Sequence, residues 1–174
     1  MAAGGEDTQV RKHDFKTKDG HDIVVRPVEG DDRQALENMF RACSSDTLYT
    51  RFLSPGLGVP LRYLDRLMIH QPPGILSLVA SAGENIIGLL NFVQHKSGNS
   101  GEIAIVVRDD YQNRGVGSGM LKLLYELARE HGVKKFIADI DAGNRRVFHL
   151  IQRSEFPAHI DINQGVAHVE MDVQ

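Results

Sequence analysis

EIAIVVRDDYQNRGVGSGMLKLLYELAREHG, residues 102–132, holds two periodicities with a glycine-rich break between them. Up to Val107 the side chains alternate, so that Glu102, Ala104 and Val106 point to one face of a strand and Ile103, Ile105 and Val107 to the other. One carboxylate therefore shares a face with small and apolar residues. From Gly115 to His131 the period becomes helical: Met120, Leu123, Leu124, Leu127 and Ala128 form an apolar stripe, and Gly132 stands where a helix would stop. A glycine-rich loop entering a helix presents main-chain N–H groups that no preceding turn can satisfy, at the positive end of the helix dipole, and such an end binds phosphate. Gly115, Gly117 and Gly119 are read as keeping that backbone uncovered. Met120-Leu121 stand where a P-loop would carry Lys-Ser/Thr. A dinucleotide-binding loop would follow the first strand of a parallel series, whereas this one follows several hairpin-type strands.

Working outward towards the N-terminus, HDFKTKDGHDIVVRPV reads as a hairpin turning at Lys18-Asp19-Gly20. Asp31-Asp32 open a helix carrying Leu36, Met39 and Phe40, with an N-cap expected from this acidic pair. Asp46 opens a second short helix, the run 54–58 breaks it, and Pro60 fits the first turn of a third. Runs 75–81 and 86–95 pair around Gly83-Glu84-Asn85. Towards the C-terminus, 135–141 is a buried-type strand, 144–153 a short helix, and 158–173 two strands around Asn163-Gln164-Gly165. Residues 1–12 are expected to be a flexible tail and 13–174 one domain.

Composition narrows the classes of function. Lys and Arg number 20 against 23 Asp and Glu, a net charge of −3, which offers no broad basic surface to a nucleic-acid backbone. No stretch approaches the roughly 20 apolar residues that span a bilayer, so no membrane partner is expected. Cys43, the single cysteine, excludes an internal disulfide and suits a reducing compartment; a cytoplasmic location is the expectation. Cys43 itself falls in a helical pattern and reads as a small core residue. The eight histidines share no ligand spacing on a common helix, and no metal is expected.

Gln112-Asn113-Arg114-Gly115-Val116-Gly117 fits the pattern Gln/Arg-x-x-Gly-x-Gly/Ala, and with the flanking strand and helix it resembles the GNAT family of N-acetyltransferases over about residues 20–172. Within that family, residues 45–52 (SDTLYTRF) and 102–107 look like the acetyltransferase domain of bacterial protein-lysine acetyltransferases. The resemblance implies an α/β (α+β) single-domain fold, with a mixed, mostly antiparallel sheet whose central strands splay between flanking helices. It implies acetyl-CoA as co-substrate, held by Val107, Gln112, Asn113, Arg114, Gly115, Val116, Gly117, Ser118 and Gly119, with Asn144 at the pantetheine arm. Arg114 has phosphate or solvent as alternatives, and Asn144 has the capping of its own helix. The partner implied for the acetyl group is a protein lysine.

The sequence departs from the family pattern in two places. Ile151 stands where many relatives carry a Tyr that protonates the leaving thiolate, and Glu155 stands where a Gly precedes the final Phe. A thiol of pKa ~8.5 leaves at neutral pH without an acid, whereas an ammonium near ~10.4 must lose a proton before it attacks. The base implied by the resemblance is Glu102, with a solvated strand residue as its plain alternative. An N-acetyltransferase acting on protein lysine by direct attack is therefore expected. Transfer to a small-molecule amine, or a catalytically silent acyl-CoA sensor, are the alternatives.

Overall fold

Eight strands form one sheet in the order β1-β2-β3-β4-β5-β6-β8-β7 in the computed structural model, which describes residues 12–56, 58–68 and 74–174. They are β1 (His13–Lys16), β2 (Asp22–Pro27), β3 (Ile75–Ala82), β4 (Asn85–Gln94), β5 (Ser100–Val107), β6 (Lys135–Asp141), β7 (Ala158–Asn163) and β8 (Val166–Asp172). The helices are α1 (Arg33–Arg41), α2 (Ser45–Phe52), α3 (Leu61–Met68), α4 (Val116–Glu130) and α5 (Arg145–Arg153). Each expected element is present. The expected tail lies outside the described residues except for Lys12, as do His70 and the end of the third helical run.

Every neighbouring pair of strands is antiparallel except β5 and β6. That parallel pair is short, with Ser100, Gly101 and Glu102 opposite Lys135, Phe136 and Ile137, after which the strands separate. The sheet is the mixed, splayed architecture expected, and the fork opens just beyond Glu102.

The pleat sorts the two faces as the alternation requires. Ile103, Ile105 and Val107 pack with α4 and α5 around Met120, Leu124 and Ile151, while Val106 joins Leu36, Phe40 and Leu64 under α1 and α3. Glu102 and Ala104 thus belong to the α1–α3 side. Asp32 sits at the N-cap position of α1, but its carboxylate makes no cap bond to that helix. It accepts instead from both terminal nitrogens of Arg26 at 2.7 Å and from the Glu29 N–H at 2.7 Å, because a buried carboxylate is better satisfied by a guanidinium than by one amide. At the far end of the chain's long helix, Gly132 adopts φ +71 as its C′ role demands.

Candidate active site

Where β5 and β6 part, they leave a cleft of about 330 Å³, walled by α4 and α5 on one side and α2 on the other. On the α4 side the wall is main chain. Asn113 and Gly115 both take positive φ (61° and 95°), turning the loop so that Gly115 becomes the N-cap of α4 with no side-chain cap. Among the described residues, no acceptor is hydrogen-bonded to the N–H groups of residues 113–118. Gln112, Asn113, Gly115, Val116, Gly117 and Ser118 line the cleft, so this row of donors and the helix dipole point at one space.

Two residues expected among the cofactor contacts have other work. The Gly119 N–H donates to the Gly115 carbonyl at 3.0 Å, and a Cβ at Gly119 would lie 2.2 Å from the Phe15 ring. Its glycine lets α4 press on β1 and does not uncover the loop for an anion. The Arg114 guanidinium pairs with Asp19 and stacks 5.5 Å over Tyr111, and Arg114 is absent from the cleft lining. Gln112 keeps its place, but its side chain is spent on structure: Nε2 donates to the Val107 carbonyl at 2.8 Å and to Thr47 Oγ1 at 3.0 Å. Gly117 and Gly115 have room around them, since a Cβ at Gly117 would meet only ordinary contacts, 3.5 Å to Leu150, and one at Gly115 would meet nothing within 4 Å.

The ladder sets the main chain of β5 in the same way. The Arg108 N–H bonds to Ile87 on the β4 side, while the Val107 carbonyl turns to Gln112. By the alternation of an antiparallel ladder, the main-chain groups of Ile105 and Val107 face the gap left by β6. Asn144 both caps α5, accepting from the Val147 N–H at 3.3 Å, and lines the cleft. Ile151 lines it too and is buried, presenting no proton.

On the α2 side, Thr47 and Arg51, to which sequence reasoning gave no individual role, line the cleft and are held by residues behind them. Asp109, in the short 3₁₀ turn after β5, accepts from the Ser44 N–H at 2.8 Å, Ser44 Oγ at 2.7 Å and Thr47 Oγ1 at 2.8 Å. Burial acts to raise the Asp109 carboxyl, but the bonds from Ser44 and Thr47 outweigh it and hold it below the usual carboxylate range. Further along α2, Arg51 Nη2 donates to Tyr63 Oη at 3.0 Å and to Asn91 Oδ1 at 3.1 Å, and Asn91 Nδ2 donates to Ser77 at 2.8 Å. Partners 62–65 positions apart leave no local signature that a single sequence could reveal.

Glu102 stands at the fork itself, the last β5 residue paired with β6. Its side chain is 70% exposed, outside the lining of the cleft, with Oε1 3.4 Å from His95 Nε2; His95 Nδ1 lies 3.1 Å from Ser100 Oγ. Cys43 is free, and burial, with the Asp109 carboxylate nearby, pushes its thiol up to about 12. Such a thiol carries almost no thiolate at neutral pH. Among the described residues, no group of three or more His, Cys, Asp or Glu side chains is placed to share an ion, and no helix is long and apolar enough to cross a membrane.

Known proteins resemble this chain in sequence and fold. An acetyltransferase of Pseudomonas aeruginosa is 27% identical over 131 residues, 73% of this chain and 70% of that protein. The crystal structure of the GNAT domain of S. lividans PAT superposes with a TM-score of 0.83 at 25% identity, over 92% of this chain and 96% of that one. A Salmonella typhimurium structure solved with its cofactor acetyl-CoA shares the fold, with a TM-score of 0.68 at 18% identity over 87% and 93% of the two chains. The family model described as the acetyltransferase (GNAT) family matches residues 35–156, and this chain belongs to that family.

Proposed function

We propose that this acetyltransferase uses acetyl-CoA as donor and an amine as acceptor, with a protein lysine as the favoured acceptor. The observation that carries the reading is the row of unpaired N–H groups at the start of α4, opening into the cleft left where β5 and β6 part beyond Glu102. These donors suit a diphosphate, whose charge the helix dipole also favours. The rest of a pantetheine arm would extend between β5 and β6 past Asn144, as an extra strand-like partner for the main chain of Ile105 and Val107. The preference for lysine rests on the likeness of residues 45–52 and 102–107 to protein-lysine acetyltransferases. A cytoplasmic location is part of the same reading and rests on the single, unpaired Cys43.

In this mechanism Glu102 takes a proton from the acceptor ammonium, directly or through one water. The freed amine attacks the thioester carbonyl. A main-chain N–H of β5 at the gap donates to the oxygen as negative charge gathers there, the C–S bond breaks as coenzyme A leaves as thiolate, and the nitrogen releases its second proton to solvent as the amide forms. Ile151 supplies no acid, and none is required of a thiol with pKa ~8.5. Solvent can then protonate the thiolate.

Glu102→Gln tests the assignment of the base, because it keeps size while removing the proton acceptor. Acetyl-CoA affinity should be unchanged and turnover at neutral pH should fall ~10²–10⁴-fold, with partial recovery at high pH where solvent supplies free amine. Near-wild-type turnover in the variant would make Glu102 a solvated strand residue, as its 70% exposure allows.

A further inference from the structure

We propose that Arg51 is a carboxylate-reading residue of the acyl-transfer cleft, receiving a negatively charged group carried by a substrate. The inference rests on the proposed use of that cleft and adds what its α2 wall recognises.

Arg51 lines the cleft, as do Arg146 and Arg153, but those two are exposed to solvent whereas Arg51 is half-buried. Arg26 pairs with Asp32, Arg108 with Asp110 and Arg114 with Asp19, whereas among the described residues no carboxylate is paired with Arg51. Its guanidinium is partly buried, and its Nε is fully shielded from solvent with no hydrogen-bond partner. Two neutral acceptors, Tyr63 Oη and Asn91 Oδ1, share a single terminal nitrogen, Nη2. Withdrawing a cation from water without a counter-charge is costly, and a neutral phenol and amide return only part of that cost.

The group is nevertheless held in place. The Phe52 and Tyr63 rings lie 4.7 and 5.4 Å from its central carbon, and Asn91 is itself fixed by Ser77. A pre-positioned, uncompensated guanidinium in a cleft is a receptor for a planar anion, which its remaining nitrogens can meet with charge-assisted bonds. Register gives its location relative to the chemistry. Asn91 faces Ala104, and Ala104 follows Glu102 on the same face of β5. Arg51 therefore stands one step of the pleat beyond the fork, above the smallest side chain of that face. A charge there can meet a carboxylate beside the acceptor amine, or one at the end of a longer acyl group.

The experiment measures kcat and KM for the wild type, Arg51→Lys and Arg51→Gln with paired substrates that differ only in charge. In the acceptor arm, lysine peptides with Asp or Asn beside the lysine are compared, using acetyl-CoA. In the donor arm, succinyl-CoA is compared with butyryl-CoA on one neutral peptide. The wild type should favour the charged twin in one arm by roughly 10–100-fold in kcat/KM, mostly through KM. The arm that shows the preference identifies the source of the carboxylate. Arg51→Gln should bring the twins to parity, and Arg51→Lys should retain part of the preference, since it keeps the charge and loses the fork.

Equal use of the twins by the wild type in both arms would overturn the proposal, whatever the variants do. So would an Arg51→Gln variant that loses the same factor on charged and neutral twins, because that is the mark of a wall support. Thermal melting and acetyl-CoA titration of each variant separate loss of fold from loss of recognition. Failure of the wild type to bind acetyl-CoA at all is a different result: it removes the parent reading, and this inference with it.

Discussion

The two walls of the cleft are made by opposite means. The α4 wall is main chain shaped by glycine and positive φ, with its donors left open. The α2 wall presents side chains: Thr47 and Arg51 line the cleft, Thr47 bonded to Asp109 and Gln112 in the turn after β5, and Arg51 to Tyr63 and Asn91 behind it. A wall of amides recognises charge in any ligand that reaches it and tolerates sequence change at most of its positions. A wall of side chains can be altered one residue at a time, which suits selection among substrates.

The largest effect that tests this contrast is steric. Although Gly117 and Gly119 are two residues apart in one helix, only Gly119 touches β1, so Gly119→Ala should cost about 3 kcal/mol as the Phe15 ring is displaced. Gly117→Ala should change stability by less than about 1 kcal/mol, because its added methyl finds ordinary contacts. Urea midpoints of the two variants check the difference, and equal values would mean that both glycines serve the same purpose.

Next in size is Asp109→Asn, which weakens three bonds from α2 while leaving the α4 amides alone. A loss of roughly 1–2 kcal/mol is expected from chemical denaturation. Smaller still is its consequence for pH. Because the folded carboxyl of Asp109 lies below its unfolded value of ~3.9, its stabilisation is complete above that value and drains away as pH falls through the folded one. The wild type should therefore lose stability more steeply below pH ~4 than Asp109→Asn does. A steeper acid limb in the variant contradicts the assignment. The smallest effect concerns Cys43, whose thiol is pushed up to about 12. Mass spectrometry after iodoacetamide treatment at pH 8 should find it unmodified in the folded protein and modified in urea.

Legibility in the sequence follows the same division. Helices and strands were readable because period and turn chemistry are local: the stripe from Met120 to Ala128, the β-branched run 103–107 and the stop at Gly132 each lie within a few residues. The phosphate-type loop was readable for the same reason. Gly119 is ambiguous in sequence, because a glycine demanded by a neighbouring strand looks the same as one demanded by a ligand. Only the position of Phe15, more than a hundred residues earlier in the chain, distinguishes them. Asp32 was placed at the right position with the wrong partner, since nothing local announces Arg26 as its counter-ion. The Asp109 group and the Arg51 group were invisible, being assembled from turns and helices that meet only in the fold. The side chain at Ile151 illustrates the converse, a departure visible in sequence whose structural meaning is simple burial at the cleft.

If the amides of α4 are a diphosphate site, isothermal titration of acetyl-CoA into the wild type and Gly117→Glu shows it directly. The wild type should bind saturably, with a raised melting temperature from mass action on the folded state. Both should be lost in the variant, where a carboxylate would stand among donors that await an anion. Equal affinity in the two proteins, or no binding by a folded wild type, would contradict the diphosphate site.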